Sequence, residues 1–191
     1  MKKLLILLAS LALALSSRAE TQSYKIDSVH SSVGFSLRHL VSKFSSSFTK
    51  VSGAINYDAA APEKSSVEAT IEIDSVATAN EKRDAHLKTP DFFDTAKFPS
   101  ATFKSKSWKK TGENTFDVTG DLTIKNVTKE VVLKTTLLGT GPGQGGATLT
   151  GWEAVTTFKR TDFTVGEPKF LSALGDEVTI TIGIEAAHKK A

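Results

Sequence analysis

The sequence contains no cysteine. Thiolate catalysis, cysteine-based zinc sites and iron–sulfur clusters are therefore excluded, because each of them needs a thiolate. A membrane anchor carried on a lipid-modified cysteine is excluded for the same reason. An exported protein has access to disulfides, and this chain must be stable without them.

The sequence also lacks long apolar runs, apart from one near its start. The stretch from Leu4 to Leu15 follows two lysines and precedes Ser17-Arg18-Ala19, whose small residues suit cleavage by a signal peptidase. As a helix, this stretch is too short to cross about 30 Å of hydrocarbon, which favours a signal peptide over a membrane anchor. We therefore expect residues 1–19 to be removed. Residues 20–191 are then expected to form one soluble domain, periplasmic or secreted.

The mature chain has no surplus of charge of either sign. The whole chain carries 24 Lys and Arg residues against 21 Asp and Glu residues, a net charge of +3. Lys2, Lys3 and Arg18 account for that surplus, and all three lie in the predicted signal peptide. A neutral mature chain gives no electrostatic reason to expect nucleic acid or an anionic membrane surface as a partner.

What the sequence does contain is an apolar/polar alternation with a period of two, which is typical of half-buried strands. The alternation is clear in four segments, which are residues 32–38, 67–74, 116–124 and 178–185. Its phase is weaker or shifts in four more, which are residues 43–57, 100–110, 128–140 and 148–161. A bulge near Lys50 to Ser52 would explain the change of phase in the first of these.

One segment, from Asn80 to Leu87, has no alternation and many helix-forming residues. Asn80 is a suitable N-cap, and Pro90 stops a regular helix near Thr89. Eight sequential antiparallel strands protect their edges best by closing on themselves. The sequence therefore predicts an all-β fold, an eight-stranded antiparallel barrel with one short helix inserted between strands 3 and 4. A two-sheet sandwich is the alternative, but long strands joined by short turns favour the barrel.

Short motifs that suggest catalysis or cofactor binding have stronger structural interpretations. Gly141 to Gly146 have the glycine spacing of a dinucleotide-binding loop, but a strand follows them where a helix is required, which favours a hairpin loop. Asn126-Val127-Thr128 fits the glycosylation pattern, yet it lies in a predicted tight turn in which Asn126 can take a positive φ. No nucleophile elbow is present. The carboxylate pairs Asp91/Asp94 and Glu81/Asp84 lie beside lysines and are interpreted as solvated ion pairs.

The four histidines also give no metal-binding pattern. His30, His39, His86 and His188 are not spaced four residues apart on a predicted helix, and no cysteine completes a zinc set. His30 and Asp27 are close enough in sequence to form a hydrogen-bonded pair at the barrel entrance. We therefore expect no metal ion, no cofactor and no catalysis.

Four blocks of the sequence resemble the YceI family. The longest comprises Asn80-Glu-Lys-Arg-Asp-Ala-His-Leu-Lys-Thr-Pro-Asp-Phe-Phe-Asp94 and Phe98-Pro-Ser-Ala-Thr-Phe103, and the others are residues 24–33, 119–129 and 174–182. The resemblance extends over residues 24–186. It implies a lipocalin-like barrel whose lumen holds an apolar small molecule. The ligand classes implied are a polyisoprenoid, a related quinone or another lipid. It also implies a periplasmic location and suggests a homodimer.

The apolar face of the strands is the predicted wall of this lumen, because exposing a lipid chain to water costs about 25 cal/mol per Å². The wall candidates are Phe35, Leu37, Ile55, Ile71, Ile73, Phe103, Phe116, Val118, Trp152 and Phe158. Phe92 and Phe93, which follow the helix, are expected to plug one end of the barrel and to help form the cavity wall. Arg83 and His86 are expected to meet a headgroup.

The function predicted from these observations is an exported protein that carries or sequesters a lipid. One alternative is a solidly packed periplasmic module for protein interaction or stress protection, without a bound lipid. A hydrolase or heme-type enzyme is a further alternative, and nothing in the sequence requires it.

Overall fold

The computed structural model describes residues 21–189, so the predicted signal peptide lies outside the described residues. These residues form one α-helix, α1 (Glu81–Leu87), between β6 and β7. The strands are β1 (Gln22–Ile26), β2 (Ser32–His39), β3 (Ser42–Phe48), β4 (Val51–Tyr57), β5 (Ser66–Glu72), β6 (Val76–Ala77), β7 (Ser100–Lys110), β8 (Thr115–Ile124), β9 (Val127–Pro142), β10 (Thr148–Lys159) and β11 (Leu174–His188). Within the described range, no helix is long and apolar enough to cross a bilayer.

These strands build a closed, eight-stranded antiparallel barrel, because each of its first three strands is interrupted once. β1 and β2 both pair with β11, at Ile26↔Ala186 and Val33↔Ile182, and so form two halves of one strand. β3 and β4 pair in turn with β2 and β1, and β5 and β6 pair with β4 and β3. The ring closes where β1 pairs with both β4 and β11. The predicted barrel is thus confirmed, including the helix between its third and fourth strands.

The barrel has two different ends. We call the end that carries β1 and Tyr57 the ring end, because the strands are paired all the way round there. The other end, which carries the Leu40–Val41 turn and the β8–β9 turn, is the helix end. There β6 pairs with β3 alone among the described strands, and the chain from α1 to Ser100 lies between β6 and β7 in sequence.

The predicted bulge near Lys50 is instead a complete break in the strand. β3 ends at Phe48 and β4 begins at Val51, and the side chains of both residues are buried. The two intervening residues let the apolar positions change from even to odd numbers. The sequence shows this change of phase, but the barrel turns it into a break because β3 and β4 pair with different strands.

The predicted helix begins and ends close to the expected residues. Asn80 is its N-cap, and the Asn80 side-chain oxygen accepts a hydrogen bond of 3.0 Å from the backbone N–H of Arg83. Asp84 is not simply a solvated ion-pair partner, since its carboxylate accepts a 2.9 Å hydrogen bond from the backbone N–H of Thr78. The helix is thus fixed to the end of β6.

Two turns differ in how closely they follow the sequence predictions. The Gly141–Gly146 segment contains the end of β9 and most of the β9–β10 connection, and it leads into a strand, as the hairpin interpretation predicts. In the β8–β9 turn, however, the positive φ of 56° belongs to Lys125 and not to Asn126. The Lys125 ammonium donates hydrogen bonds to the carbonyls of Phe92 (3.0 Å) and Thr164 (3.1 Å), which fixes this backbone conformation from outside the turn.

Candidate ligand-binding cavity

A cavity of about 580 Å³ occupies the barrel lumen. Its wall consists of inward-facing side chains, and the β11 part of the wall includes the stripe Val178, Ile180, Ile182 and Ile184. Successive strand residues point to opposite faces of a sheet, so the alternation in the sequence produces an apolar wall directly. The volume is in the range of sites that enclose a small organic ligand.

All but one of the residues predicted to contact a ligand line this cavity. They are Phe35, Leu37, Ile55, Ile71, Ile73, Arg83, His86, Phe92, Phe93, Phe103, Val118, Trp152 and Phe158. The exception is Phe116, which is 2% exposed and packs against Trp108 and Trp152 without lining the cavity. At this level of the barrel the larger indole rings take the lining positions. That these residues contact a ligand remains a prediction.

An aromatic cluster closes the lumen towards the ring end. It consists of Tyr57, Trp108, Phe116 and Trp152, with ring centroids 5.0 to 6.3 Å apart. The indole N–H groups of Trp108 and Trp152 are buried and have no hydrogen-bond partner within residues 21–189. A buried donor without an acceptor typically costs about 1–3 kcal/mol. The surface of the lumen at this end is therefore apolar and offers these N–H groups no hydrogen-bond acceptor within that range of residues.

A second group of aromatic side chains lines the lumen on the side of the helix end. Phe92 and Phe170 stack with their centroids 5.1 Å apart, and Phe93 meets Phe48 edge-to-face at 5.7 Å. All four rings line the cavity. The predicted place of Phe92 and Phe93 in the cavity wall is thus confirmed, whereas their predicted role as a plug stays a prediction.

The two polar residues predicted to meet a headgroup lie at the helix end and are exposed. The Arg83 guanidinium donates to the hydroxyl (2.9 Å) and carbonyl (2.7 Å) oxygens of Thr78 and lies 4.4 Å from the centre of the Phe44 ring. His86 forms a 2.9 Å hydrogen bond with Asp91, and this bond holds the pKa of the Asp91 carboxyl below its ordinary value. Both side chains are therefore held in place beside the lumen.

Arg160 is a buried cation in the cavity wall that the sequence analysis missed. It is 4% exposed, and its guanidinium donates to the carbonyls of Val165 (2.8 Å), Gly166 (3.0 Å) and Gly175 (3.1 Å). Its Nη2 has no hydrogen-bond partner in the described part of the chain. Burial lowers the pKa of this guanidinium, although an arginine stays charged in proteins. The sequence could have indicated this position, because Arg160 continues the even-numbered, inward-facing series of Trp152 and Phe158.

Trp108 was missed for a different reason. The β7–β8 register shifts between Ser105 and Ser107, so one residue is inserted and the inward positions change from odd to even numbers. Phe103 and Trp108 therefore both line the lumen, although strict alternation puts them on opposite faces. In the sequence, the bulge is indicated by apolar residues at both odd and even positions within residues 100–110.

One cluster outside the cavity has the donor types of a metal site. His30 Nδ1 lies 2.9 Å from a carboxylate oxygen of Asp27 and 3.7 Å from one of Glu185, at the break between β1 and β2. The predicted His30–Asp27 hydrogen bond is thus confirmed, but the pair lies outside the cavity and not at the barrel entrance as predicted. It raises the pKa of His30 and lowers that of Asp27. All three groups are substantially exposed, which is typical of a surface ion pair.

Comparison with known proteins agrees with this architecture. The family model described as YceI-like domain matches residues 24–186. Protein YceI of Escherichia coli is 38% identical over 194 residues and is covered over its full length, as is this chain. The crystal structure of Burkholderia cenocepacia BcnA is 27% identical, with a TM-score of 0.78 over 84% of this chain and 99% of that one.

A more distant solved structure shares the fold. It is described as a polyisoprenoid binding domain from Saccharophagus degradans, with a TM-score of 0.65, 17% identity, and coverage of 88% of this chain and 99% of that one. At this identity the likeness concerns the fold alone. The family match and the full-length relative together establish that the chain belongs to the YceI family.

Proposed function

We propose that this protein is exported and holds a polyisoprenoid-like or related lipid chain in its lumen, as a carrier or a sequestering protein. The observation that carries the proposal is the cavity of about 580 Å³, whose wall is formed almost entirely by apolar side chains. At about 30 Å³ per water-sized group, this space accommodates on the order of twenty such groups. A chain of about four isoprene units is of that size.

The ligand class follows from the chemistry of the wall. Each buried CH₂ contributes roughly 0.8 kcal/mol, so affinity should increase with chain length until the lumen is filled. Polar side chains are concentrated at the helix end, where Arg83, His86, His39 and Lys43 line the cavity. We propose that the chain enters from that end and that its headgroup stays there. The description of the Saccharophagus degradans domain as polyisoprenoid binding supports the ligand class.

The alternative of a solidly packed interaction module is less well supported. A solid barrel requires side chains that meet across the lumen at the density of a protein core, which leaves few voids larger than a water molecule. The lumen described above is far larger than such a void. The proposed export rests on the sequence of residues 1–19, and the suggested homodimer also remains a prediction.

The test begins with the full chain expressed in a Gram-negative host. The protein is purified without detergent, and solvent extracts are analysed by mass spectrometry for apolar lipids. Protein stripped of lipid is then offered isoprenoid alcohols of ten, twenty and forty carbons. The intact mass and the cell fraction that contains the protein report on removal of residues 1–19 and on export.

We expect co-purified lipid, together with an affinity that rises from ten to twenty carbons and then levels off. Repeated absence of bound lipid, combined with no uptake of any added isoprenoid, would favour the solid-module alternative and overturn the proposal. An unprocessed chain found in the cytoplasm would overturn the export part alone.

A further inference from the structure

The β2–β3 turn at the helix end has two apolar residues where a polar turn is expected. Leu40 is 53% exposed and Val41 is fully exposed. Two-residue hairpin turns favour Asn, Asp and Gly, because their backbone needs positive φ values. Leu40 nevertheless has φ 48°, which is a genuine outlier for a bulky residue. Neither local conformation nor burial accounts for these two residues.

The turn belongs to the rim of the lumen. Leu37, His39 and Phe44, on the strands that lead into and out of the turn, all line the cavity. The Leu40 N–H donates a 2.7 Å hydrogen bond to the carbonyl of Ala173, so the chain segment that contains the exposed Leu171 lies beside it. The exposed apolar residues of this rim therefore adjoin the apolar wall.

Two cations lie directly behind the turn. Arg38 and Lys43 are cross-strand partners, and like charges at such positions destabilise a hairpin. Neither side chain takes part in an ion pair within the described range of residues, and the Arg38 guanidinium instead donates to the Leu40 carbonyl at 2.6 Å. From Ser28 to Tyr57 the sequence contains no Asp or Glu. The neutral charge of the predicted mature chain therefore coexists with a local pair of cations beside the β2–β3 turn.

We propose that this rim, formed by Leu40, Val41, Arg38 and Lys43, docks the mouth of the barrel on an anionic phospholipid bilayer. Exposed apolar side chains with cations behind them match the two layers of such a surface, which are acyl chains and phosphate headgroups. The proposal rests on the lipid-holding function, since docking places the mouth where a lipid chain enters or leaves.

The experiment measures sedimentation of the mature protein with vesicles that contain no isoprenoid. One set of vesicles is pure phosphatidylcholine, and the other contains phosphatidylcholine with phosphatidylglycerol. The test variants are Val41→Ser and the double variant R38Q/K43Q. Leu138→Ser is the apolar control, because Leu138 is 59% exposed on the barrel wall. K109Q/K110Q is the charge control, since it removes two exposed lysines next to the β7–β8 turn.

We expect the wild type to bind the anionic vesicles and to be released by high salt, because salt screens exposed charges. Each lysine or arginine near an anionic surface strengthens binding about fivefold, so R38Q/K43Q should bind about twenty-five-fold more weakly. Val41→Ser should also bind several-fold more weakly, and both controls should bind like the wild type.

The wild type's failure to sediment with anionic vesicles would overturn the proposal, and so would an equal loss in R38Q/K43Q and K109Q/K110Q. Uptake of an isoprenoid alcohol from dilute solution is measured on the same variants. A wild type that takes up the isoprenoid normally but does not bind the anionic vesicles would reject docking and leave the lipid-holding function intact. Absence of uptake in the wild type would reject the lipid-holding function itself.

Discussion

The His30–Asp27 pair shows how two exposed side chains make stability depend on pH. The hydrogen bond raises the pKa of His30, so its contribution is complete below about pH 6.5 and is lost as the pH rises through the folded-state value. The same bond lowers the pKa of Asp27, so that contribution is present above about pH 4 and is lost in stronger acid. The pair therefore stabilises the fold most between these two limits.

We predict that His30→Asn lowers the free energy of unfolding more at pH 5 than at pH 8.5, as measured by urea denaturation. At pH 5 the wild-type imidazolium faces the carboxylates of Asp27 and Glu185, whereas at pH 8.5 it has lost its charge. In an Asp27→Asn background the pH dependence of the His30→Asn effect should shrink. An equal effect at both pH values would contradict this account of the pair.

At the scale of elements, the β8–β9 hairpin ties together segments that are distant in sequence. The Lys125 ammonium links this hairpin to the Phe92 carbonyl after α1 and to the Thr164 carbonyl between β10 and β11. Phe92 and Val165, the residue after Thr164, both line the lumen. The hairpin therefore holds two parts of the lining in place at the helix end.

We predict that Lys125→Met costs about 1–2 kcal/mol, because charged hydrogen bonds are lost and two carbonyls lose their donor. For a domain of this size that corresponds to a fall in Tm of about 3–6 °C, measured by circular dichroism. Met retains the long side chain and any strain of the positive φ, so the substitution isolates the ammonium group. Lys129→Met, at an exposed position of β9, is the matched control and should leave Tm unchanged. A similar fall in both variants would assign the effect to surface charge.

The elements also show why part of the fold could be predicted and part could not. Strand periodicity is a local property, so the β11 stripe from Val178 to Ile184 and the helix capped by Asn80 were readable from the sequence. The break after Phe48 arises because adjacent segments pair with different strands, which no local pattern encodes. The β2–β3 turn has apolar residues where hairpin turns prefer Asn, Asp or Gly. A role for these residues can be inferred only from the position of the turn beside the mouth of the barrel.

For the molecule as a whole, a hollow lumen and a packed interior make different predictions for substitutions in the wall. Ala154 and Val155 provide a matched pair of positions on β10. Ala154 is buried and lines the lumen between Trp152 and Phe158, whereas Val155 is exposed on the outer face of the same strand. A phenyl ring at position 154 enters the lumen part-way along its length, and one at position 155 leaves the lumen unchanged.

We predict that Ala154→Phe lowers the affinity for a twenty-carbon isoprenoid at least tenfold but affects a ten-carbon one much less, because the ring shortens the accessible lumen. Val155→Phe should bind both ligands like the wild type. In a tightly packed core, an added ring costs about 1–3 kcal/mol through strain, whereas a hollow lumen accepts it without that cost. Ligand-free Ala154→Phe should therefore melt close to Val155→Phe. Strong destabilisation of Ala154→Phe, together with a smaller destabilisation of Ala154→Leu in proportion to its size, would indicate a packed interior. That result would contradict a hollow lumen.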